Sequence, residues 1–542
     1  MLLKLKRLSA QSVAQIAAGM IALAGGGAAA YSSANGPWGN QDAAVYIVTA
    51  RNLLRGIGYG YRLPNGSFVV WTVKPPLYSA VLAVIGRFGA DLVDAARWLN
   101  VLFFAASLLL AALIFVRFSE RPALGIVAAL LVAAFPTMVR MSSSSMSEPF
   151  FVFTLLLSVY LLLALLRTGT YRRLIPAAIL AGLLPMVRYI GVAFIPVGLV
   201  AVLGSLAGGW KERLAKTSLY ALISGLPILT WAAWVYFAVD RSVAGRSLVL
   251  GQADVLGNLI RFYSSTVQIA LSWFPLGGQV WDLRFGLRNG TILLAVVLLV
   301  GITLLAVRRL HRRLAEARAD ADFQNVVIWW LWSAAYVAFL AIDSLVANPN
   351  PPITNRILLP LYAGLPLCLV GMLACWQKAW FRGRLRWLQA LPWLVAVGGL
   401  VWYLPVTYSQ VMLPLHSQTG LISYGWRVSP TMAAVRALPR DTIVVSSDAY
   451  AVMTWADRSA YDLLENLEPD FIHHDAVYGT DSTDPAQDAF RQGAVLVVFA
   501  DEFPGQIASA YGQAGTDRLS TLFRGLTIAG QYADGTIYYF PK

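Results

Sequence analysis

Long apolar runs, separated by short polar connections, recur from the N-terminus to about residue 408. A helix needs roughly 20 apolar residues to cross a bilayer, and about eleven runs meet or approach that length. The predicted spans are 12–31, 94–118, 122–138, 148–167, 172–187, 188–207, 217–239, 290–307, 325–346, 356–377 and 387–408. The pattern therefore predicts an α-helical polytopic membrane protein.

Two connections are too long to be simple turns, namely residues 31–93 and 240–289. The first contains QDAAVYIVTARNLLRG, whose apolar residues can share one helix face, and PPLYSAVLAVIGRFG, an apolar stretch too short to span. We expect both to form interfacial helices. In the second connection, NLIRFYSSTVQIALSWF has the pattern of another amphipathic helix.

The pattern changes from about residue 417. DTIVVSSD, AVLVVFAD and TIYYF have the character of strands, and helical patterns occur near residues 429–438 and 484–492. We therefore predict a membrane domain over residues 1–416 and a small soluble α/β domain over residues 417–542.

Composition supports this division. Of the 542 residues, 58% are hydrophobic and 13% are charged, and the mean hydropathy is +0.62. The net charge of +14 is uneven, because the part from residue 430 onward carries seven Lys or Arg and fifteen Asp or Glu. The positive excess lies mainly in loops that flank the spans, which argues against a nucleic-acid partner.

The short basic loops all fall on one side of the predicted membrane. They contain Arg117 and Arg121, then residues 167–173, 211–216, 308–318 and 378–386. By the positive-inside rule, that side is cytoplasmic. We expect a protein of the plasma (inner) membrane with a cytoplasmic N-terminus and an extracytoplasmic C-terminal domain.

The two cysteines, Cys368 and Cys375, lie in one predicted helix. Their separation corresponds to about 10 Å of helix rise, which is beyond the reach of a disulfide bond. We therefore expect both to be free packing residues.

The charged residues near membrane depth lie at the outer ends of spans or in the first outer loop, and the middles of the spans are nearly free of charge. They are Asp42, Arg51, Arg55, Arg62, Lys74, Arg140, Glu148, Arg188, Asp343 and Arg356. Such residues are candidates for function. A transporter would be expected to bind its substrate near the midplane. An outer layer of cations instead suits an enzyme acting on a phosphorylated lipid.

Six further stretches between residues 40 and 377 form a recognisable set: GNQDAAVY, ARNLLRGIGY, KPPLY, SEPFFVFTLLLSVYLL, RYIGVAFIP and NRILLPLYAGLPL. Together they resemble the GT-C glycosyltransferases, in particular the branch of the bacterial lipid A aminoarabinose transferase and the protein O-mannosyltransferases.

This resemblance implies an enzyme that transfers a sugar from a polyprenyl-phosphate donor to the hydroxyl group of a lipid, glycan or protein acceptor. By position, Asp42 corresponds to the catalytic carboxylate of the first loop, and Lys74 corresponds to the lysine that faces the donor phosphate. The further candidates for holding the phosphate are Arg62, Arg188 and Arg356. Weaker candidates for contact with the substrate are Tyr46, Trp71, Tyr78, Glu148 and Asp343.

The chemistry is consistent with these roles. Cations in a dry site can stabilise a departing phosphate, and a carboxylate can accept the proton of the attacking hydroxyl. One displacement would invert the sugar C1. Many relatives have a second acidic residue beside the first-loop aspartate, where this chain has Ala43. We therefore expect no obligatory metal, although Mg²⁺ or Mn²⁺ could still bind.

Simpler roles fit the same residues. Asp42 could only cap its helix, Lys74 could extend to the interface without touching substrate, and Arg188 and Arg356 could be membrane-edge anchors. Glu148 could only favour the positive end of its helix. The alternative function is a transporter or flippase of a lipid-linked sugar, and a third is a membrane protein that binds lipid or partner without activity.

Overall fold

The computed structural model describes residues 9–206, 208–239, 247–248, 255–274, 277–311, 314–348, 353–380, 389–417, 420–463, 489, 492–499, 523 and 526–539. Helices dominate up to residue 417, and a small sheet with short helices follows. Among the described residues, eight helices are long and apolar enough to cross a membrane.

The helices of the membrane part have these bounds: α1 Ala10–Ser32, α2 Gln41–Leu54, α3 Leu77–Gly86, α4 Leu92–Phe118, α5 Leu124–Ala134, α6 Pro136–Ser142, α7 Glu148–Thr168, α8 Tyr171–Val187, α9 Phe194–Ser205, α10 Trp210–Ala238, α11 Val255–Ser272, α12 Gly277–Trp281, α13 Phe285–Leu310, α14 Leu314–Ala319, α15 Ala321–Val346, α16 Leu359–Ala379, α17 Leu391–Thr407 and α18 Leu413–Ser417. A 3₁₀ turn, Tyr189–Ala193, precedes α9, and a π-helical turn, Tyr408–Met412, joins α17 to α18.

The predicted spans correspond to these helices. The eight helices of spanning length are α1, α4, α7, α10, α13, α15, α16 and α17 with its continuation to Ser417. The remaining predicted spans are α5 with α6, bent by 71° at Pro136, and the two shorter segments α8 and Tyr189–Gly204. Pro136 occupies the first turn of α6, where its missing N–H group costs no helical hydrogen bond.

The core of the bundle is apolar and continuous. It includes Phe104 on α4, Phe151 on α7, Phe194 on α9 and Trp332 on α15, each almost fully buried. Because lipid tails supply no hydrophobic drive between helices, close packing and buried polar contacts determine which helices meet. Cys368 and Cys375 are free and buried in α16, as predicted.

The first long connection folds as predicted, with α2 and α3 as its helices. Between them a hairpin pairs β1 Gly60–Arg62 with β2 Phe68–Val70 in antiparallel register. The predicted helix of the second connection is α11. Two short strands, β3 Ser247–Leu248 and β4 Ala347–Asn348, pair the second connection with the segment that follows α15.

The C-terminal part is a mixed five-stranded sheet of order β6-β5-β7-β9-β8. Its strands are β5 Val444–Ser446, β6 Tyr461–Asp462, β7 Val495–Phe499, β8 Thr527–Tyr532 and β9 Gly535–Tyr539. The first three are parallel, and β8 and β9 are antiparallel to their neighbours. Three short helices accompany them: α19 Gly425–Val428, α20 Pro430–Ala437 and α21 Ala449–Ala451, with a π-helical turn at Val452–Ala456.

The predicted strands and the helix near residues 429–438 are confirmed. The predicted helix at 484–492 lies almost entirely outside the described residues. The sequence did not predict β6 or β8. β6 has only two residues, and β8 is largely exposed along its length, so neither has a marked apolar alternation.

The C-terminal part packs directly on the first connection. Tyr424 N–H donates to the Asn35 carbonyl at 3.0 Å. Gly36 has φ +109°, and a Cβ there would lie 2.6 Å from Tyr424 N. Glycine is needed at this position for both the conformation and the close approach.

Candidate active site

Asp42 lies in the first turn of α2, and its side chain is 18% exposed. The helix is held by apolar packing, since Ala43, Tyr46, Ile47 and Ala50 are buried against α3 and the start of α4. No side chain caps α2, and the helix N-terminus favours a carboxylate at this place. Asp42 therefore has a fixed backbone and a side chain directed at the residues described next.

Two cations share Asp42. Lys74 Nζ lies 3.1 Å from Asp42 Oδ2, and Arg356 Nη2 lies 2.5 Å from the same oxygen. Lys74 comes from the loop between the hairpin and α3, whereas Arg356 precedes α16. The pairs therefore join parts of the chain that are far apart in sequence.

Arg356 also bridges to a second carboxylate. Its Nε donates to Glu148 Oε1, and Arg188 Nη1 lies 2.6 Å from that oxygen. Glu148 begins α7 and is only 1% exposed. Its other oxygen, Oε2, has no hydrogen-bond partner among the described residues.

We call these five residues the ion cluster: Asp42, Lys74, Glu148, Arg188 and Arg356. It carries three positive and two negative formal charges, which leaves an excess of one positive charge. The cluster lies at the end of the bundle where α7 begins and α8 ends, which we call the site end. Buried ions need partners of opposite charge, and every member has at least one.

The charges shift the pKa values of the two members that lie in the first connection. Burial alone would raise the pKa of Asp42, but the positive charges of Lys74 and Arg356 outweigh it and hold that pKa well below its ordinary value. Burial lowers the pKa of Lys74, and the attraction of Asp42 offsets only part of that change.

Hydroxyl groups fix the loop that carries Lys74. Tyr59 Oη donates to the Lys74 carbonyl at 3.0 Å, and Tyr189 Oη donates to the Thr72 carbonyl at 2.6 Å. Tyr189 is itself held by Trp231 Nε1, which donates to its hydroxyl at 2.9 Å. The lysine backbone is therefore anchored to the hairpin connection, to the turn after α8, and to α10.

The 3₁₀ turn that carries Tyr189 also places Arg188. Gly191 in this turn packs so closely that a Cβ would lie 2.4 Å from the Leu184 carbonyl carbon. Arg188 thus leaves α8 in an extended conformation and turns toward Glu148. A larger residue at position 191 would push the turn away from α8.

Arg356 is supported in a similar way. Tyr336 Oη donates to the Ile357 carbonyl at 2.5 Å, and Trp273 Nε1 donates to Asn355 Oδ1 at 3.0 Å. Both neighbours of Arg356 are thus held by aromatic side chains of α15 and of the segment after α11.

Of the aromatic candidates, Tyr46 and Tyr78 lie beside the ion cluster. Tyr46 Oη and Ser147 Oγ are 3.1 Å apart, and the Tyr46 and Tyr78 rings meet edge to face at 5.0 Å. Trp71 instead contacts Tyr61 of the hairpin, at 5.7 Å between ring centroids.

Of the remaining two candidates, one lies on the hairpin and the other lies on α15. Arg62 is exposed on the hairpin, where its Nη1 is 3.5 Å from the Gly66 carbonyl. Asp343 lies near the C-terminal end of α15. The structure thus joins Asp42, Lys74, Glu148, Arg188 and Arg356, with Tyr46 and Tyr78 beside them.

The sequence did not indicate the supporting residues Ser147, Tyr59, Tyr189, Trp231 and Tyr336. Tyr189 and Ser147 are chain neighbours of Arg188 and Glu148. The sequence signal for Tyr189 and Ser147 was that each is next to a charged candidate. The partners of their hydroxyl groups are visible only in the fold.

The C-terminal part of the chain contacts α2 near the C-terminal end of that helix. Arg55 donates through both terminal nitrogens to Asp457, at 3.0 and 2.6 Å. Arg51 contacts the same carboxylate at 3.1 Å and donates to the carbonyls of Met453 and Thr454. We call Arg51, Arg55 and Asp457 the clasp.

The two carboxylates of the ion cluster are already paired with cations. No group of three or more His, Cys, Asp or Glu side chains that could hold a metal occurs in the part of the chain that the structure describes. Asp42 and Glu148 are already paired with three cations, whose charge would oppose a bound Mg²⁺ or Mn²⁺.

Fold and site together define a multi-pass membrane protein that gathers paired, buried charges at one end of a helix bundle. Its fold is that of ArnT. A crystal structure of ArnT from Cupriavidus metallidurans bound to undecaprenyl phosphate matches 98% of this chain and 99% of its own, with a TM-score of 0.52 and 11% identity. The apo crystal structure of the same protein matches 98% of this chain and 100% of its own, with a TM-score of 0.39 and 11% identity.

No protein-family profile matches the chain. No curated protein matches it either. The resemblance found in the sequence is thereby confirmed at the level of the fold.

Proposed function

We propose that this protein is a membrane glycosyltransferase that moves a sugar from a polyprenyl-phosphate donor to an acceptor hydroxyl. The observation that carries the proposal is the ion cluster, in which three cations share two carboxylates and retain one positive charge. The ArnT fold supports it, since the ArnT structure of that fold is bound to undecaprenyl phosphate.

The charge of the cluster matches that of the donor. A sugar joined to a polyprenyl phosphate is a phosphodiester with one negative charge, which would neutralise the excess positive charge. The cations that face Asp42, namely Lys74 and Arg356, are the groups that would turn toward the phosphate. Fixed cations in a water-poor site stabilise a charge that develops during reaction.

Asp42 is proposed as the general base. The acceptor oxygen attacks the sugar C1, its proton passes to the Asp42 carboxylate, and the C1–O bond breaks with its electron pair leaving on the phosphate. The products are the glycosylated acceptor and polyprenyl phosphate, and the anomeric centre is inverted. The phosphate gains a negative charge as Asp42 loses its own, so the net charge of the site and its ligands does not change.

The low pKa of Asp42 is compatible with this role only if its cations are drawn away. In the arrangement described above, Lys74 and Arg356 hold the carboxylate ionised. When the donor phosphate takes over these cations, the pKa of Asp42 would rise and the carboxylate would become a stronger base.

Glu148 is proposed to orient the substrate. Its Oε1 is occupied by Arg188 and Arg356, while Oε2 is buried and has no partner among the described residues. A buried oxygen without a partner is costly, and a hydroxyl group of the sugar or acceptor would satisfy it.

We propose that the site end faces the outside of the plasma membrane and that the C-terminal part lies there with it. This follows from the basic loops of the sequence, which gather at the opposite ends of the spans. The acceptor could be a lipid, a glycan or a protein, and all three have hydroxyl groups that reach this interface.

The deciding experiment is transfer by the purified full chain in liposomes. Labelled polyprenyl-phosphate sugars are offered with candidate acceptors, and labelled product is measured for the wild type, Asp42→Asn and Lys74→Ala. We expect transfer by the wild type and losses of about 10²- to 10⁴-fold in Asp42→Asn. Glu120→Gln, at an exposed carboxylate, is the control.

Two results would contradict the proposal. Full transfer by both site variants would remove Asp42 and Lys74 from the mechanism. Movement of intact donor across the liposome membrane, with no cleavage of the sugar–phosphate bond, would identify a transporter or flippase instead.

A further inference from the structure

Arg288 is a buried arginine that has no ionic partner among the described residues. It lies in the first turns of α13 and is 6% exposed. Its Nε has no hydrogen-bond partner, and within the described residues its side chain forms no ion pair or hydrogen bond. A guanidinium group remains charged in proteins and is costly to bury alone.

Aromatic rings cover this arginine. The guanidinium carbon lies 4.0 Å from the centre of the Trp281 ring and 5.0 Å from that of Phe285. Such contacts are worth roughly 0.5–2 kcal/mol. They supply no lone-pair acceptor for the buried Nε–H group, so the rings hold the guanidinium in place without satisfying this donor.

The surroundings add positive potential. Arg288 is close to the N-terminus of α13, whose first N–H groups are capped by no side chain. Arg284 precedes the helix and is exposed. Asp282, the nearest acidic residue along the chain, forms no ion pair with Arg288 in the part of the chain described here. A helix N-terminus with two arginines favours an anion.

Exposed apolar side chains flank the arginine. Phe285 is 57% exposed and Leu287 is 63% exposed, and on the neighbouring helix α11, Leu256 and Ile260 are 69% and 51% exposed. Tyr263 of α11 donates to Asn289 Oδ1 at 2.6 Å, which joins α11 to α13 beside Arg288. These apolar surfaces fit acyl or isoprenoid chains at a membrane interface.

We propose that Arg288 is the centre of a second anion site, which binds the phosphate or carboxylate headgroup of a membrane amphiphile. The fork of N–H groups suits two oxygens of such a headgroup, and the exposed side chains of α11 and α13 contact its hydrocarbon part. The site is built on elements that carry none of the five cluster residues, because Arg288 and Phe285 lie on α13 and Trp281 lies on α12.

The segment after α11 connects this site to the ion cluster. Trp273 follows α11 and donates to Asn355, the residue before Arg356. An amphiphile bound at Arg288 would therefore lie on the element that supports a cluster cation. Binding itself does not depend on the proposed transferase activity.

The test compares the wild type with Arg288→Met, in which an apolar side chain of similar length replaces the cation. Apparent melting temperature is measured for the purified full chain in a neutral detergent, with and without added phosphatidylglycerol. Without the lipid we expect Arg288→Met to be at least as stable as the wild type, because an unpaired buried charge has been removed. With the lipid, the wild type should gain stability and the variant should not.

Affinity is measured in parallel by counting retained lipids with native mass spectrometry. We expect at least a tenfold preference of the wild type for phosphatidylglycerol over phosphatidylcholine. Arg288→Met should lose the preference, and the control Arg87→Gln, at an exposed arginine that follows α3, should keep it within about twofold. Arg288→Lys retains the positive charge but loses the planar, bidentate N–H groups of the guanidinium. It should therefore bind phosphatidylglycerol with intermediate affinity.

Three results would overturn the proposal. The first is equal retention of phosphatidylglycerol by Arg288→Met and the wild type. The second is a loss of stability in Arg288→Met that is the same with and without lipid, which would assign Arg288 to packing alone. The third is protection by millimolar inorganic phosphate equal to that by the lipid, which would show a site for a free anion instead of an amphiphile.

Discussion

Asp42 and Arg356 are separated by 314 positions in the chain, yet Arg356 Nη2 lies 2.5 Å from Asp42 Oδ2. Through Arg356 the carboxylate of the first connection is coupled to Glu148 at the start of α7. The charges that a donor phosphate would meet are therefore one connected network, and a change at one member should alter the others.

The first prediction concerns the stability of this network. Glu148→Gln removes the negative charge shared by Arg188 and Arg356 and leaves both less compensated in a buried place. We expect a loss of about 3–5 kcal/mol in unfolding free energy, the usual result of removing one partner of a buried pair. The measurement is denaturant unfolding in detergent micelles.

The control for this experiment is Glu120→Gln. Glu120 is 73% exposed and its nearest cation contact is 3.9 Å, so a change within about 0.5 kcal/mol is expected. A loss for Glu148→Gln no larger than that of the control would contradict the coupling.

The second prediction concerns the pH dependence of kcat/KM, which reports the free enzyme. The pKa of Asp42 is held below its ordinary value, so activity should be lost only as pH falls below about 4. The pKa of Lys74 is lowered by burial, so activity should be lost as pH rises through a value below the ordinary lysine pKa of about 10.4. A pH–rate profile of labelled sugar transfer gives both limbs.

A matched variant tests the origin of the acidic limb. Lys74→Gln removes one of the two charges that lower the pKa of Asp42, so the limb of the residual activity should move to higher pH. An unshifted limb in this variant would mean that Asp42 is not the titrating group.

The third prediction concerns the support of Lys74. Tyr189→Phe removes the hydroxyl that donates to the Thr72 carbonyl. A hydrogen bond of this kind contributes about 0.5–1.5 kcal/mol, so kcat/KM should fall by about two- to tenfold. Tyr236→Phe, at an exposed tyrosine on α10, should have no effect.

A double-variant comparison shows whether Tyr189 acts through the lysine. In a Lys74→Ala background, the further change Tyr189→Phe should cost little, because the group that it positions is already absent. The same fold loss in both backgrounds would place the effect of Tyr189 elsewhere.

The fourth prediction concerns the clasp. Arg55 and Arg51 lower the pKa of Asp457 in the folded protein. A lowered pKa stabilises the folded state above the ordinary pKa of about 3.9, and that contribution is lost as pH falls through the folded value. Asp457→Asn should therefore be less stable than the wild type at pH 7, and the difference should shrink as pH falls below 4.

The magnitude and the choice of substitution follow from the surroundings. Asp457 is 41% exposed, so we expect less than about 1 kcal/mol, read as apparent melting temperature across pH. Asp457 has φ +54°, a conformation that asparagine tolerates well, so the substitution isolates the charge. A difference that is independent of pH would contradict an electrostatic clasp.

The fifth prediction concerns metals. The carboxylates of the ion cluster are paired with cations and are poorly suited to a divalent ion. Transfer measured after treatment with a chelator should remain within about twofold of the untreated rate. Loss of transfer that is restored by Mg²⁺ or Mn²⁺ would overturn this expectation.

The sequence predicted the membrane part well because its signal is local. The length of the apolar runs located the spans. The helical periodicity of apolar residues and the positions of prolines located α2, α3 and α11. The sequence also identified the charged residues that lie at the site end. β8 was not found because its residues are mostly exposed, and the apolar period that marks other strands is weak there.

By itself, the sequence determined a polytopic helical protein with a charged layer at one end of its spans and a small α/β domain after them. Only the tertiary structure decided which charges meet. Arg356 joins Asp42 to Glu148, Arg62 stays on the hairpin, and Arg288 remains without an ionic partner in the part of the chain that is described. The reason is physical, because an ion pair depends on distances of a few ångströms between segments hundreds of residues apart, and helix packing sets those distances.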